Sequence, residues 1–335
     1  MNINVVIVGA RPAGLAVGAW RRHYRRLHLH TVKSFSSLPH VPFPRGYPRY
    51  VPREKVVAYL DAYAERFELR PRFGETVNSI RREDGGYLVE TGMDTPSARH
   101  VVIASGSNAE PVVPSLPEIE AFKGMRLHSA DYTEAAPFVG QSVLVVGMGN
   151  TGAEIALDLS ECGARPTLSV RKGVHIVPRQ LFGVPIQMIA IASRSMPQAV
   201  NDRLFPIVLD LALGKLEKYG IVRPKQGILE QVEAGRIPVI DVGTVRAIKS
   251  GGIKAAPDTE RFTEPGVILA TGYRPGFEKF LPAELRPGKS GVTRRASKLG
   301  LYLVGFHNPI TGLLREIGRE AVAVTADIER RSSTR

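Results

Sequence analysis

Two apolar runs of strand length in this chain each end at a glycine. Residues 3–8 lead into Gly9, and residues 142–146 lead into Gly147. An apolar run that stops at a glycine is typical of a buried strand that enters a tight turn. Because the pattern occurs twice, the sequence predicts two nucleotide-binding units in one chain.

The second run continues into a complete strand, turn, helix and strand. The turn is followed by apolar residues at helical spacing, namely Ala153, Ile155, Ala156 and Leu159. Gly163 is a candidate helix C-cap, and residues 167–170 resume a strand. Further apolar runs at 100–104, 267–269 and 301–304 predict more strands. We therefore expect an α/β fold.

Two longer amphipathic stretches predict helices outside these units. A helix that opens at Pro52 would bury one apolar face, formed by Val56, Leu60, Tyr63 and Phe67. A C-terminal helix would bury Ile317, Ala321, Val324 and Ile328. Both helices are interpreted as structural packing elements.

The composition excludes several classes of protein. Among 335 residues there are 45 Lys and Arg against 32 Asp and Glu, a net charge of +13, and Cys162 is the only cysteine. A disulfide framework, a four-cysteine zinc site and a redox cysteine pair are therefore excluded, and a cytoplasmic location is expected. The uncharged stretch at residues 180–193 is shorter than the roughly 18 to 20 apolar residues of a membrane span, and no transmembrane segment is expected.

The positive charge favours anionic small molecules as partners. Residues 1–53 and 162–201 contain no acid, and both stretches include or follow a candidate nucleotide turn. Stacking aromatics do not accompany the basic residues, so nucleic acid is not expected. His28 and His30 could begin a metal site, but no third ligand is spaced to join them, and no metal is assigned. The oligomeric state stays open.

The second turn has the sequence Gly147-Met148-Gly149-Asn150-Thr151-Gly152. A dinucleotide-binding loop needs one glycine for the turn, one for the approach of the pyrophosphate and one for close helix packing. The helix N-terminus adds amide donors and partial positive charge. A purely structural glycine-rich turn is the alternative. The residues expected to hold the cofactor are Gly147, Gly149, Asn150, Thr151 and Gly152.

The end of the next predicted strand indicates which nicotinamide cofactor is used. An NAD-selective site places an acid there, whereas this chain has Arg171 and Lys172. A basic pair attracts the 2′-phosphate of NADPH, which an acid would repel. NADPH is therefore expected, and a solvated strand end is the alternative.

The first turn has the sequence Gly9-Ala10-Arg11-Pro12-Ala13-Gly14, with Arg11 where the middle glycine is expected. That side chain crowds the place where a pyrophosphate meets the backbone, although its guanidinium could rotate outward and pair with phosphate oxygens. Taken locally, residues 15–26 predict a helix and residues 27–32 the next strand. No acid precedes Glu54 to bind a ribose.

A family resemblance begins just before the second apolar run. Phe122, Gly124, His128 and Tyr132 form the pattern FxGxxxHxxxY between the two glycine loops. This string resembles the signature of the flavin-containing monooxygenases, which are class B flavoprotein monooxygenases, and Tyr132 separates it from the Baeyer–Villiger relatives. Thr133 stands where a basic residue often follows. A buried Phe and Tyr beside a hydrogen-bonded His is the structural alternative.

Longer runs resemble the YUCCA branch of this family, at 38–44, 59–65, 238–244, 270–273 and 301–306. The resemblance implies two Rossmann-like, three-layer dinucleotide-binding domains. An NADP-binding domain, residues 137–261, would be inserted in a discontinuous FAD-binding domain, residues 1–136 and 262–335. FAD and NADPH are the implied cofactors. Dioxygen would oxygenate a small-molecule substrate through a flavin hydroperoxide, and that substrate is either an arylpyruvate-type 2-oxo acid or a nitrogen or sulfur nucleophile.

The resemblance also implies roles for individual residues. The residues implied to contact the FAD pyrophosphate are Gly9, Pro12, Ala13 and Gly14. Ser105 and Gly106 would close over that cofactor, and Thr271 and Gly272 would lie at the domain junction. Thr31 and Lys33 match a segment that runs near the flavin ring. No catalytic acid or base is assigned, because the flavin carries the oxygen chemistry.

One departure from the family pattern motivates a second hypothesis. The run at 20–27, which begins at Trp20, directly follows Ala19, whereas the family has a helix end, a strand and an acidic ribose ligand before it. In the family alignment residues 27–32 are therefore not the second strand. Together with Arg11, this gap supports an NADP(H)-binding remnant that has lost FAD and catalysis.

Arg11→Gly is expected to raise the affinity for FAD, because it restores the approach of the pyrophosphate to the backbone. The measurement is the quenching of FAD fluorescence on titration with the apoprotein. A lower affinity in the variant would instead show that Arg11 is itself a phosphate ligand.

Overall fold

The computed structural model describes residues 2–9, 17–116, 119–120, 122–171, 173–256, 265–286, 299–307, 309 and 311–333. The chain divides into two compact units. The first unit comprises Met1–Arg21, Lys33–Glu110 and Tyr273–Arg335. The second unit comprises Arg22–Val32 and Pro111–Gly272.

Sixteen strands are described within these residues. In chain order they are β1 (Asn2–Val8), β2 (Val77–Glu83), β3 (Gly86–Thr91), β4 (Ser97–Ile103), β5 (Glu110–Pro111), β6 (Met125–His128), β7 (Ser142–Val146), β8 (Arg165–Ser169), β9 (Ile176–Pro178), β10 (Gln180–Leu181), β11 (Val184–Pro185), β12 (Val239–Asp241), β13 (Lys254–Ala256), β14 (Gly266–Leu269), β15 (Tyr273–Arg274) and β16 (Leu301–Leu303). The α-helices of the same residues are α1 (Val17–Arg22), α2 (Arg53–Arg66), α3 (Asn150–Glu161), α4 (Ile186–Ala192), α5 (Gln198–Leu213), α6 (Ile228–Glu233), α7 (Thr244–Lys249) and α8 (Leu313–Ser333).

The sheet of the first unit is centred on β4. One edge of β4 pairs in parallel with β1, so that Val8 lies opposite Ile103. The other edge pairs antiparallel with β3 and in parallel with β16, and β2 extends the sheet from β3. The core of this unit is formed by buried apolar side chains, among them Ile80, Tyr87, Val101, Phe277, Leu281 and Leu301.

Strand β1 lies at the open edge of this sheet. Within the described residues it pairs with β4 alone, and its Ile7 is 61% exposed. In a doubly wound sheet the first strand normally has a neighbour on each side. The open edge of β1 is therefore the position that the strand after α1 would occupy.

The local prediction of a strand over residues 27–32 is wrong, and the helix predicted over 15–26 is found at Val17–Arg22. Helix α1 ends at Arg22, and residues 23–32 form no regular strand. They pack with the second unit, where the Tyr24 ring is buried in the core and makes an edge contact with Tyr132. Burial of this aromatic side chain outweighs the strand-like alternation of the following residues.

The second unit contains a five-stranded sheet that is parallel throughout, with the order β13, β8, β7, β14 and β6. Strands buried on both faces are expected to be continuously apolar, and Val143 and Val145 of β7 are fully buried. Helix α3 packs on this sheet through Ile155 and Leu159. The unit has the doubly wound architecture that the sequence predicts.

Several predicted elements are confirmed. Helix α2 follows Pro52 and buries Val56 and Leu60, whereas Phe67 lies beyond its last turn. Helix α8 buries Ile317 and Val324, as the C-terminal pattern predicts. The α/β class follows directly from these helices and the two sheets.

The chain passes from the first unit into the second after Glu110, and it returns to the first unit after Gly272. In the sequence, β6 precedes and β14 follows the predicted cofactor domain of residues 137–261. Both strands nevertheless belong to the parallel sheet of the second unit, because β14 pairs with both β6 and β7. The assignment of residues 137–261 to NADP and of the flanking parts to FAD stays a prediction. No helix in the described part of the chain combines the length and hydropathy that crossing a membrane requires.

Ile7→Thr and Val145→Thr form a matched pair, since each residue stands two positions before a turn glycine. Ile7 is exposed and Val145 is fully buried. We expect Ile7→Thr to change the free energy of unfolding by less than about 0.5 kcal/mol. Val145→Thr should lower it by roughly 1 to 3 kcal/mol, because a hydroxyl is buried without a partner. Urea denaturation followed by circular dichroism measures both, and equal losses would contradict the open edge of β1.

Candidate functional site

Three glycines shape the loop between β7 and α3. Gly147 has a φ of +103°, and a Cβ there would lie 2.8 Å from the Ala270 carbonyl oxygen. A Cβ at Gly152 would lie 1.9 Å from the Gly147 carbonyl oxygen, so only glycine fits. Gly149 caps α3 and has open space around its Cβ position. The loop is therefore closely packed at Gly147 and Gly152, and the N-terminus of α3 is accessible at Gly149.

Asn150 connects this loop to the neighbouring strand. Its Nδ2 donates to the Pro238 carbonyl oxygen at 3.1 Å, and its Oδ1 accepts from the Ile240 N–H at 2.7 Å. The amide therefore fixes β12 beside the start of α3. Thr151, the next residue, is partly exposed in the first turn. Contacts of both residues with a cofactor stay a prediction.

The end of β8 reaches the same loop. Gly147 N donates to the Ser169 carbonyl oxygen at 3.2 Å. Ser169 and Val170 are buried, and the Arg171 side chain that follows is exposed. A cation is thus placed two residues past the strand end that supports the loop. Lys172 lies outside the described residues.

Thr271 and Gly272 follow β14 on the other side of the loop. Thr271 Oγ1 donates to the Val112 carbonyl oxygen, and Val112 N donates back to Gly272 at 3.0 Å. These bonds join the two chain segments that enter and leave the second unit. The role of Thr271 and Gly272 at a domain junction stays a prediction.

The turn after β1 repeats the geometry at Gly147. Gly9 has a φ of +104°, and a Cβ there would lie 2.6 Å from Ser105 N. Gly106 also has a positive φ, of +73°. Ser105 Oγ is buried and has no hydrogen-bond partner among the described residues, so it is available to a cofactor oxygen. Pro12, Ala13, Gly14 and Arg11 lie outside the described residues.

Lys33 has structural partners in the first unit. Its Nζ donates to the Arg45 carbonyl oxygen at 2.6 Å and to the Tyr47 carbonyl oxygen, and its backbone N–H donates to Arg49. These bonds fold the loop at 44–49 around the ammonium group. Thr31 belongs to the second unit and is partly exposed. Proximity of Thr31 and Lys33 to a flavin stays a prediction.

The residues of the FxGxxxHxxxY pattern are packed into the second unit. A Cβ at Gly124 would lie 2.4 Å from the Pro265 carbonyl oxygen. His128 Nδ1 accepts from the Ala130 N–H at 3.0 Å, and burial lowers the pKa of this histidine. Tyr132 donates to Asp158 at 2.6 Å, and burial raises the pKa of its phenol. The residues of this pattern therefore contribute to packing and hydrogen bonding within the second unit.

An acidic face of α3 is absent from the sequence predictions. It consists of Glu154, Asp158 and Glu161, whose spacing places them on one side of the helix. Glu154 pairs with His30 and Glu161 with Arg26, while Asp158 accepts from Tyr132. The signal was present in the sequence, because these three acids interrupt an otherwise apolar helix. His28 instead contacts the Arg26 carbonyl oxygen, and the described residues contain no cluster of metal-ligating side chains.

Comparison with known proteins gives a family and a fold. The model of the family described as flavin-binding monooxygenase-like matches residues 18–274. Indole-3-pyruvate monooxygenase YUCCA1 of Oryza sativa subsp. japonica is 39% identical over 348 residues, which cover 90% of this chain and 86% of that protein. The probable indole-3-pyruvate monooxygenase YUCCA7 of Arabidopsis thaliana is 36% identical over 356 residues, covering 90% of this chain and 82% of that protein.

Two solved structures share the fold. A flavin-containing monooxygenase from Stenotrophomonas maltophilia has a TM-score of 0.69 at 22% identity and covers 97% of this chain and 99% of that one. A caprolactone-bound cyclohexanone monooxygenase has a TM-score of 0.77 at 15% identity and covers 99% of this chain and 88% of that one. The Rossmann-like architecture predicted from the sequence is therefore confirmed.

Arg171→Ala is expected to weaken NADPH binding roughly 10- to 100-fold and to change NADH binding little, because it removes only the contact with the 2′-phosphate. Isothermal titration with each cofactor measures the two dissociation constants. Arg165→Ala is the control, since this exposed arginine lies at the opposite end of β8. Equal losses for NADPH and NADH would contradict the role of Arg171.

Proposed function

Because the chain belongs to the flavin-binding monooxygenase-like family and is thus an FAD- and NADPH-dependent oxidoreductase, we propose that its substrate is an arylpyruvate-type 2-oxo acid. The observation that carries this proposal is 39% identity, over 90% of the chain, to a protein named for indole-3-pyruvate. Probable members from a second plant carry the same substrate name. A nitrogen or sulfur nucleophile is the other substrate class that the sequence left open.

The second unit would hold NADPH. Open space above Gly149 at the start of α3 fits a pyrophosphate, whose charge the free amides of the first helical turn would stabilise. Gly147 and Gly152 would hold the loop in the conformation that presents those amides. Arg171 would donate charge-assisted hydrogen bonds to the 2′-phosphate. These residues bind and orient the cofactor, and no proton transfer is assigned to them.

The first unit would hold FAD. Gly9 permits the turn to approach Ser105 closely, and the buried Ser105 Oγ offers a donor and an acceptor to the cofactor. Gly106, in the left-handed region, would turn the chain over the bound group. Ser105 and the turn at Gly9 would hold FAD, which would supply the hydride acceptor for NADPH and the group that activates dioxygen. The protein contributes positioning and the exclusion of water.

A second candidate function has support from β1. That strand has an open edge within the described residues, the described part of α1 spans six residues, and no acid stands between Met1 and Arg53 to bind a ribose. Each feature weakens the binding site for the adenosine half of FAD. The alternative is a protein that binds NADP(H) at the second unit and has lost FAD and turnover.

Oxygen uptake driven by NADPH separates these candidates. Purified protein supplied with FAD should consume dioxygen faster when indole-3-pyruvate is added than when a thioether or a tertiary amine is added. With isotopically heavy dioxygen, one labelled oxygen atom should enter each product molecule, because the other leaves as water. The measurements are an oxygen electrode trace and the product mass.

Faster uptake with the thioether or amine would reject the 2-oxo acid in favour of a soft nucleophile. A protein that binds NADPH in titration but retains no FAD and consumes no dioxygen would establish the second candidate.

A further inference from the structure

Residues 22–32 are docked on the second unit, although the chain on either side of them belongs to the first unit. We call them the docked segment. Its backbone is tied down at both ends, because Arg25 N donates to Thr133 at 2.9 Å and Val32 N donates to the buried Gln187 Oε1 at 2.9 Å. Next to the first of these points, the Tyr24 ring lies in the core of the unit. The segment is therefore held on the second unit by hydrogen bonds from its backbone and by one buried ring.

The docked segment lies on the helix that begins at the nucleotide loop. His30 Nε2 donates to Glu154, and Arg26 pairs with Glu161 at the last turn of α3. The two pairs differ in their surroundings: the Glu154 side chain is 4% exposed, whereas that of Glu161 is 48% exposed. The pair at Glu154 is thus screened little by solvent, and the pair at Glu161 is screened strongly.

Glu154 is close to the phosphate position of the loop. It is four residues past Asn150, which is about 6 Å along the helix axis. An unpaired buried carboxylate at that depth would repel a pyrophosphate bound at the helix N-terminus, since few solvent molecules screen the two charges. The hydrogen bond from His30 offsets this repulsion. His30 reaches Glu154 only while the segment is docked.

We propose that His30, by pairing with Glu154, couples NADPH binding at the loop of residues 147–152 to the docking of residues 22–32. The inference rests on the proposed nucleotide site. By linkage, nucleotide binding strengthens docking by the same factor by which docking strengthens nucleotide binding. The docked segment continues into α1 at one end and into Lys33 at the other. A nucleotide bound at the loop would therefore restrain the chain on both sides of the docked segment. His30 is a positioning residue in this scheme.

Hydrogen exchange of the unaltered protein tests the coupling first. Saturating NADP⁺ should slow exchange at the Arg25 and Val32 amides about 10-fold, while a calorimetric titration of the same sample measures binding itself. If NADP⁺ binds and exchange in the docked segment is unchanged, the coupling is wrong and the proposed nucleotide site stands. If NADP⁺ does not bind, the proposed site fails, and the coupling fails with it.

A pair of variants tests the charge argument. His30→Leu should weaken NADPH binding about 10-fold, and adding Glu154→Gln to it should restore binding to within about 3-fold, because the unpaired charge is then removed. Arg26→Leu is the matched control at the exposed pair, and should leave NADPH affinity unchanged. A purely structural role predicts that the second substitution deepens the loss, and that result would overturn the proposal.

Discussion

The close approach of α3 to the end of β7 is the constraint on which the second unit depends. Gly152 lies so near the Gly147 carbonyl oxygen that a single added carbon cannot be placed between them. This contact fixes the helix against the parallel sheet and exposes its first amides above Gly149. Everything that the unit would do with an anionic cofactor follows from that geometry, since a helix shifted outward would no longer direct its amides at one point. The same helix then carries Glu154, Asp158 and Glu161 to their partners.

Each unit contains a strand that ends in the same type of glycine turn, and the surroundings of these two strands differ. Val145 in the second unit is fully buried, whereas Ile7, at the corresponding position of the first, is exposed. Strand β7 has neighbours on both sides and β1 has one within the described residues. The chain that would follow α1 as a second strand forms the docked segment on the other unit instead. The first unit thus keeps its turn at Gly9 and its contact with Ser105, while one edge of β1 is open within the described residues.

Sequence patterns predicted the features that depend on local chemistry. The second glycine loop was predicted from positions that only glycine can occupy. The spacing of apolar residues predicted α2, α8 and the parallel strands. The docked segment could not be predicted in this way, because residues 27–32 alternate like a strand and only the distant partners Tyr132 and Glu154 show where they pack. Asn150 is a further example. Its position suggested a cofactor ligand, and its bonds to Pro238 and Ile240 depend on a strand about ninety residues away, as the contacts show. Long-range contacts of this kind leave no periodic signal.

The proposed function requires that the first unit, despite the open edge of β1, still holds a flavin that NADPH can reduce. Anaerobic addition of NADPH to the FAD-loaded protein tests it most directly, with the visible absorbance of the flavin as the readout. We expect this absorbance to be lost in proportion to the NADPH added. Retention of the oxidised flavin spectrum in the presence of bound NADPH would contradict it.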